Sequence, residues 1–162
     1  MSNIDDLLAA NATYASTFDQ ADLATAPKRK LTVVTCMDSR LDVFAMLGLE
    51  LGEAHIVRNA GGVVTDDVIR SLIISQRTLG TEEIVLVHHT RCGLLGFRDD
   101  AIKDEIEAET GIRPSFAMEA FTDVEQDVRQ SMGRIRTSPL VKHKQVRGFV
   151  YDVDTGRITE VQ

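Results

Sequence analysis

Two short fragments constrain this chain most, because each follows an apolar, β-branched run and together they hold both of its cysteines. The fragments read CMDSR at residues 36–40 and HTRC at residues 89–92. The preceding runs are typical of buried strands, and parallel sheets bind their ligands outside the carboxyl ends of the strands. The sequence therefore predicts a sheet edge at which two thiols, a histidine, an aspartate and an arginine meet.

Strands that alternate with helices predict an α/β fold, with a mainly parallel β-sheet flanked by helices. The predicted parallel strands are residues 31–36, 55–58 and 83–88. Two further strands flank a turn at residues 154–156 and predict a C-terminal antiparallel hairpin, at residues 146–151 and 157–161. The predicted helices are residues 41–47, a helix capped at residue 65 or 66 that runs to 79, residues 99–110, and one from a capping box at 122–125 to before Pro139.

The length of 162 residues predicts one domain, residues 1–162. Its first part reads as an amphipathic helix at residues 4–18, followed by a connector at residues 19–29. The apolar residues near one stripe of that helix are Ile4, Leu7, Leu8, Ala12 and Ala15. We therefore expect an N-terminal helical arm at residues 1–29 and a core at residues 30–162.

The charge balance and the hydropathy pattern exclude several classes of function. A formal net charge of −7 and the lack of a basic stripe argue against a general binder of nucleic acid. No apolar run approaches the roughly 20 residues of a membrane span, and the acidic start lacks the apolar segment of a secretory signal. We expect a cytoplasmic protein whose two cysteines stay reduced unless they bind a metal.

Cys36, His89 and Cys92 are candidate zinc ligands, because two thiolates and one imidazole suit Zn²⁺. Three protein ligands leave a fourth position open, which is typical of a catalytic zinc that binds hydroxide. The alternative is that the cysteines are two buried thiols or one disulfide. His88 points to the opposite face of an extended chain from His89 and is interpreted as an interior or interface residue, with a proton shuttle as the alternative.

Asp38 and Arg40 form a second predicted group beside these ligands. Arg40 lies two residues beyond Asp38 and can hold its carboxylate as a bidentate pair, which keeps the carboxylate ionised and able only to accept hydrogen bonds. Such an acceptor would take the single hydrogen of a bound hydroxide and direct its lone pair at a substrate. The alternative role of Asp38 is to cap the helix predicted at residue 41.

The segment NAGG at residues 59–62 follows the second predicted strand. It is either a plain strand-to-helix turn or a place where backbone approaches the pocket closely. Arg58, just before it, is interpreted as a residue that pairs with an acidic neighbour.

In combination, CxDxR at residues 36–40, RNAG at residues 58–61 and HxxC at residues 89–92 resemble the β-class carbonic anhydrases. The resemblance spans residues 31–161, and the short chain is similar to the compact archaeal and actinobacterial branch of that family. It implies a homodimer or homotetramer with pockets at the subunit interface, where zinc-bound hydroxide attacks CO₂ and bicarbonate then exchanges for water. Residue by residue, it implies the zinc ligands Cys36, His89 and Cys92 and the catalytic dyad Asp38 and Arg40.

The resemblance leaves other functions open. The compact branch is also similar to hydrolases of carbonyl sulfide and carbon disulfide with the same ligand set, and a non-catalytic zinc-binding relative is a third possibility. In some members of the family the aspartate at the position of Asp38 takes the fourth zinc position as the pH falls. The bicarbonate-regulated branch has a Trp-Arg-Tyr site that Arg58 would match, but Val33 stands where its Trp is expected, so this regulation is not predicted.

Overall fold

A five-stranded sheet forms the centre of the computed structural model, which describes residues 2–162. Its strands are β1 (Leu31–Cys36), β2 (Ala54–Asn59), β3 (Glu83–His89), β4 (Gln145–Tyr151) and β5 (Ile158–Val161). Their spatial order is β2-β1-β3-β4-β5, in which the first four run parallel and β5 pairs antiparallel with β4. The predicted α/β class with its C-terminal antiparallel hairpin is therefore confirmed.

The α-helices of residues 2–162 are α1 (Asn3–Ser16), α2 (Val43–Leu47), α3 (Asp66–Arg77), α4 (Asp99–Thr110) and α5 (Val124–Thr137). Of these, α2, α3 and α5 pack against the sheet, whereas α1 and α4 bury none of their residues. Val34 of β1 packs in a cluster with side chains of α3 and α5, whereas its neighbour Val33 packs with α2. Successive side chains of a strand point to opposite faces, so burial of both residues explains why β1 reads as a continuous apolar run.

Two helices begin at residues other than those predicted, because a different side chain caps each of them. The carboxylate of Asp42 accepts a hydrogen bond from the amide of Ala45 at 3.1 Å, so α2 starts later than the predicted residue 41. At the start of α5, Asp123 accepts from the amide of Gln126 at 3.0 Å. Thr122 therefore lies outside the cap, and the predicted capping box is wrong.

The N-terminal helix α1 forms but buries none of its residues. Its end at Ser16 precedes the predicted end at residue 18. Ile4, Leu7 and Leu8 are 67%, 69% and 64% exposed, so the predicted apolar stripe lies open to solvent. Across residues 2–162, no helix has the length and apolar character needed to cross a membrane.

Candidate metal centre

The sheet brings the three predicted ligands together at the carboxyl ends of its central strands. Cys36 is the last residue of β1, and His89 is the last residue of the neighbouring strand β3. Cys92 follows three residues later in the turn after β3. The ligand atoms of the three residues lie within 4.8 Å of one another, and all three side chains are buried. The disulfide alternative is excluded in this structure, because both cysteines are free thiols.

The imidazole of His89 is oriented as a metal ligand. Its Nδ1 lies 2.9 Å from the carbonyl oxygen of Thr90, to which it donates its proton. The other nitrogen, Nε2, is buried and has no hydrogen-bond partner among residues 2–162. A buried acceptor without a partner is costly, and a metal ion between Nε2 and the two thiols would satisfy it. The donor set therefore fits zinc, with one position left for a further ligand.

The two thiols differ in their tendency to ionise. The neighbouring Cys92 thiol is the largest influence on the pKa of Cys36, and the His89 side chain and the amides of Asp38 and Gly61 act in the same direction. Together they lower the pKa of Cys36 below that of an ordinary thiol, against the effect of burial. The same contact raises the pKa of Cys92, because its proton is held by the Cys36 sulfur. Burial is the largest single influence on His89 and lowers its pKa, but Cys36, the Thr90 carbonyl and Asp38 together raise this pKa by more, so the net shift is upward. The contact between the two sulfurs thus favours a thiolate at Cys36 before any metal binds.

The predicted pairing of Asp38 and Arg40 is present beside this cluster. Nε of Arg40 donates to Oδ1 of Asp38 at 2.9 Å, and Nη2 donates to Oδ2 at 2.7 Å. The amide of Arg40 adds a third bond to Oδ1 at 2.9 Å. The bonds from the Arg40 side chain hold the pKa of the Asp38 carboxyl well below its usual range. Asp38 is therefore an ionised acceptor, and it does not cap α2, since Asp42 does so.

The turn that carries His89 and Cys92 is fixed against the C-terminal hairpin. The amide of Thr90 donates to the carbonyl of Tyr151 at 2.9 Å, and the Thr90 hydroxyl accepts from the amide of Val153 at 3.1 Å. Arg91 has a left-handed backbone with φ of 52° and pairs with Asp154. Because its carbonyl accepts Nη2 of Arg40 at 2.9 Å, this turn also supports the dyad.

The backbone of residues 59–62 approaches the end of β1 closely, which agrees with the second of the two interpretations of this segment. Gly62 has a left-handed φ of +73°, and a Cβ atom there would lie 2.9 Å from the backbone nitrogen of Cys36. Only glycine allows this separation together with this conformation. Arg58 does not behave as interpreted, because its guanidinium bonds to backbone carbonyls of residues 36 and 38 rather than to an acidic side chain.

His88 is an interior residue on the face of β3 opposite His89. Its side chain is fully buried, and its Nε2 lies 2.7 Å from Oδ2 of Asp127 in α5. Its ring also packs against Phe121, with centroids 5.9 Å apart. No sequence pattern indicates Asp127 as the partner of His88, because its contact with β3 depends on how α5 packs on the sheet.

A cavity of about 380 Å³ opens beside the cluster. Its polar base is formed by Cys36, Asp38 and Cys92. The remaining wall is mostly apolar and comes from residues that the sequence did not single out, namely Met37, Ala60, Gly61, Gly93, Leu94, Phe97 and Met118. An ionised acceptor and a metal-binding cluster under an apolar wall suit a small apolar substrate that reacts with an activated water.

Comparisons with known proteins identify relatives over the full length of the chain. A profile of the family described as carbonic anhydrase matches residues 31–111. The protein named Beta-carbonic anhydrase 1 from Mycobacterium tuberculosis is 56% identical over 162 residues, which cover 99% of each chain. A carbon disulfide hydrolase from Acidithiobacillus thiooxidans is 34% identical over 152 residues, covering 80% of this chain and 76% of that protein. The crystal structure of a carbonic anhydrase from Streptococcus mutans superposes with a TM-score of 0.93 at 45% identity, covering 100% of this chain and 99% of the other.

Proposed function

This chain belongs to the β-class carbonic anhydrase family, and we propose that it catalyses the reversible hydration of carbon dioxide to bicarbonate with zinc as its cofactor. The observation that carries this proposal is the buried Cys36, His89 and Cys92 cluster at the base of an apolar cavity, with an ionised Asp38 at its side. A structural zinc site has no need of an open cavity or of a carboxylate held ready as an acceptor.

Cys36, His89 and Cys92 would hold the zinc, because their three ligand atoms converge and Nε2 of His89 lacks another partner. Zinc bound there would supply Lewis acidity, which lowers the pKa of a water at the open position to about 7 in favourable sites. The thiol protons must leave for this binding to occur, and the lowered pKa of Cys36 already favours its thiolate.

The side chains around the cluster direct the attack on carbon dioxide. Asp38 stays ionised and accepts the hydrogen of the attacking oxygen, so that the lone pair of that oxygen faces the apolar cavity. Arg40 holds both carboxylate oxygens of Asp38 and is itself held by the carbonyl of Arg91, so this orientation exists before substrate enters. Leu94 and Phe97 contribute an apolar wall against which a linear, uncharged molecule loses no hydrogen bonds.

Hydrolysis of carbon disulfide or carbonyl sulfide is the second candidate function. The 34% identity to a carbon disulfide hydrolase supports it, as do the thioethers of Met37 and Met118 in the cavity wall. Polarisable thioether sulfur makes favourable contacts with soft groups, which suits a substrate that contains sulfur. Carbon dioxide remains the first candidate, because the relative at 56% identity is a carbonic anhydrase and covers the whole chain. A non-catalytic zinc protein is disfavoured by the Asp38–Arg40 pair.

We also propose that the protein works as a homodimer or homotetramer in a reducing, cytoplasmic setting. The exposed stripe of α1, with Ile4, Leu7 and Leu8, is an apolar surface of the kind that subunit contacts cover. The reducing setting follows from the ligands, since both cysteines must stay thiolates to bind zinc.

A paired assay tests this proposal. Zinc-loaded protein is assayed side by side for CO₂ hydration, followed by stopped-flow pH change, and for H₂S release from carbonyl sulfide and carbon disulfide. We expect CO₂ hydration to have the highest kcat/KM. A higher kcat/KM for a sulfur substrate would make the second candidate the main activity, and no activity on any of the three would reject the proposal.

A further inference from the structure

Arg58 is the second-to-last residue of the edge strand β2, and its guanidinium reaches across to the end of β1. Nε donates to the carbonyl of Cys36 at 2.9 Å, and Nη2 donates to the carbonyl of Asp38 at 2.7 Å. The planar fork of arginine suits two such acceptors at once, whereas a lysine ammonium would act as a single point charge. One side chain therefore joins the backbone of a candidate ligand to the backbone of the candidate catalytic aspartate.

The peptide units on both sides of Met37 are fixed by this arrangement. The amide of Met37 donates to the carbonyl of Asn59 at 2.8 Å, which extends the pairing of β1 with β2 beyond Cys36. The carbonyls of Cys36 and Asp38, one on each side of Met37, both accept from the Arg58 guanidinium. Rotation of the turn would break these bonds and change the direction of the Asp38 side chain relative to the Cys36 sulfur.

We propose that Arg58 is a positioning residue for the hydration reaction, and that its two bonds to backbone carbonyls set the placement of Asp38 relative to the Cys36 sulfur. This proposal rests on the proposed function for its effect on turnover. Its effect on the geometry of the metal centre does not depend on which substrate reacts. Misplacement of a reacting group by about 1 Å can cost about a hundredfold in rate, so loss of the two bonds is expected to be visible in kcat.

The test compares Arg58→Met, which keeps an unbranched stem without donors, with Arg58→Lys, which keeps one donor group. Arg70→Met is the matched control, since Arg70 is an exposed residue of α3 that pairs with Asp67. For each protein we would measure kcat and KM, the rate of zinc release to a chromogenic chelator, and the visible spectrum of the cobalt-substituted form. The cobalt spectrum reports ligand geometry, which a general loss of stability in a folded protein would leave unchanged.

We expect Arg58→Met to lower kcat at least about tenfold, to release zinc faster and to shift the cobalt bands, with KM much less affected. Arg58→Lys should fall between this variant and the unchanged protein, and Arg70→Met should match the unchanged protein.

If Arg58→Met does not fold, Arg58→Lys decides. The proposal is overturned if the deciding variant keeps the kcat, zinc release and cobalt spectrum of the unchanged protein. A change confined to KM or to the effect of added bicarbonate would also overturn it, because Arg58 would then contact the ligand itself. If the protein hydrated no CO₂, zinc release and the cobalt spectrum would still test the placement.

Discussion

Oδ2 of Asp38 lies only 3.7 Å from Nε2 of His89, while both oxygens of that carboxylate are bonded to Arg40. The carboxylate therefore lies beside the three candidate ligands, and its orientation is set by the guanidinium of Arg40. In the proposed function, these two features let Asp38 orient the reacting water while its bonds to Arg40 keep it from serving as a metal ligand. They also lead to separate predictions for the ligands and for the dyad.

Zinc content should depend on the three candidate ligands. We predict about one zinc per chain in the unchanged protein, and its loss in Cys36→Ser, Cys92→Ser and His89→Gln, because removal of one ligand leaves too few donors for a stable site. Metal analysis after gel filtration gives the stoichiometry. His143→Gln is the control for the loss of a histidine and should retain zinc. Full zinc content in both cysteine variants would reject the ligand assignment.

Turnover should depend on the dyad without a matching loss of metal. We predict that Asp38→Ala and Arg40→Ala each lower kcat by about a hundredfold or more. The first variant removes the acceptor that orients the attacking oxygen, and the second removes the side chain that holds this acceptor in place. Stopped-flow hydration assays and metal analysis are made on the same preparations. Asp67→Ala, which removes an exposed partner of Arg70, is the control. A dyad variant with unchanged kcat would show that the residue has no such role.

The pH profile should report the activated water rather than Asp38. The bonds from Arg40 place the pKa of Asp38 below its usual range, so this carboxylate is ionised throughout the window from about pH 6 to about pH 9 and cannot cause a rise there. We predict that turnover rises across this window as the water loses its proton. A flat profile would contradict this mechanism.

The same pairing predicts that Asp38 keeps its bonds to Arg40 at acidic and at alkaline pH. Crystals of the zinc-loaded protein grown at both extremes provide the measurement. An oxygen of Asp38 in the fourth coordination position of the acidic crystal would show instead that the carboxylate closes the site.

The tight approach at Gly62 predicts a stability difference between two glycines. Gly62 and Gly80 both have a left-handed φ, but a Cβ at Gly80 would meet no atom within 4 Å. We predict that Gly80→Ala costs about 1 kcal/mol for its backbone conformation alone. Gly62→Ala should cost about 1 to 3 kcal/mol more, because its Cβ overlaps the backbone of Cys36. Urea unfolding of the two variants measures the difference, and equal losses would contradict the clash.

Assembly should depend on the apolar stripe of α1. We predict a dimer or larger species at micromolar concentration in sedimentation equilibrium. Leu7→Glu combined with Leu8→Glu should shift the equilibrium toward monomer, since a charged stripe no longer gains from burial. Thr13→Glu, placed off the stripe, is the control and should leave the mass unchanged. A monomeric unchanged protein would reject the proposed assembly.

Local patterns along the chain were enough to predict most of the fold. Short apolar, β-branched runs located the strands of residues 2–162, helix caps and an apolar stripe located the helices, and their alternation indicated the parallel sheet with its terminal hairpin. Helix starts were less accurate, because Asp42 and Asp123 competed with nearby residues that have similar capping ability. The division into an arm at residues 1–29 and a core at residues 30–162 stays a prediction.

The sequence by itself determined the candidate site, because Cys36, Asp38 and Arg40 lie on one turn, and His89 and Cys92 lie on another, each at a strand end that can be read from local pattern. Only the tertiary structure decided what surrounds them. Met118 reaches the cavity, Asp127 reaches His88 and Arg58 reaches the turn after β1 through contacts between segments far apart in the chain. Such contacts depend on how helices and strands pack, and residue spacing carries no information about a partner that is brought close only by folding.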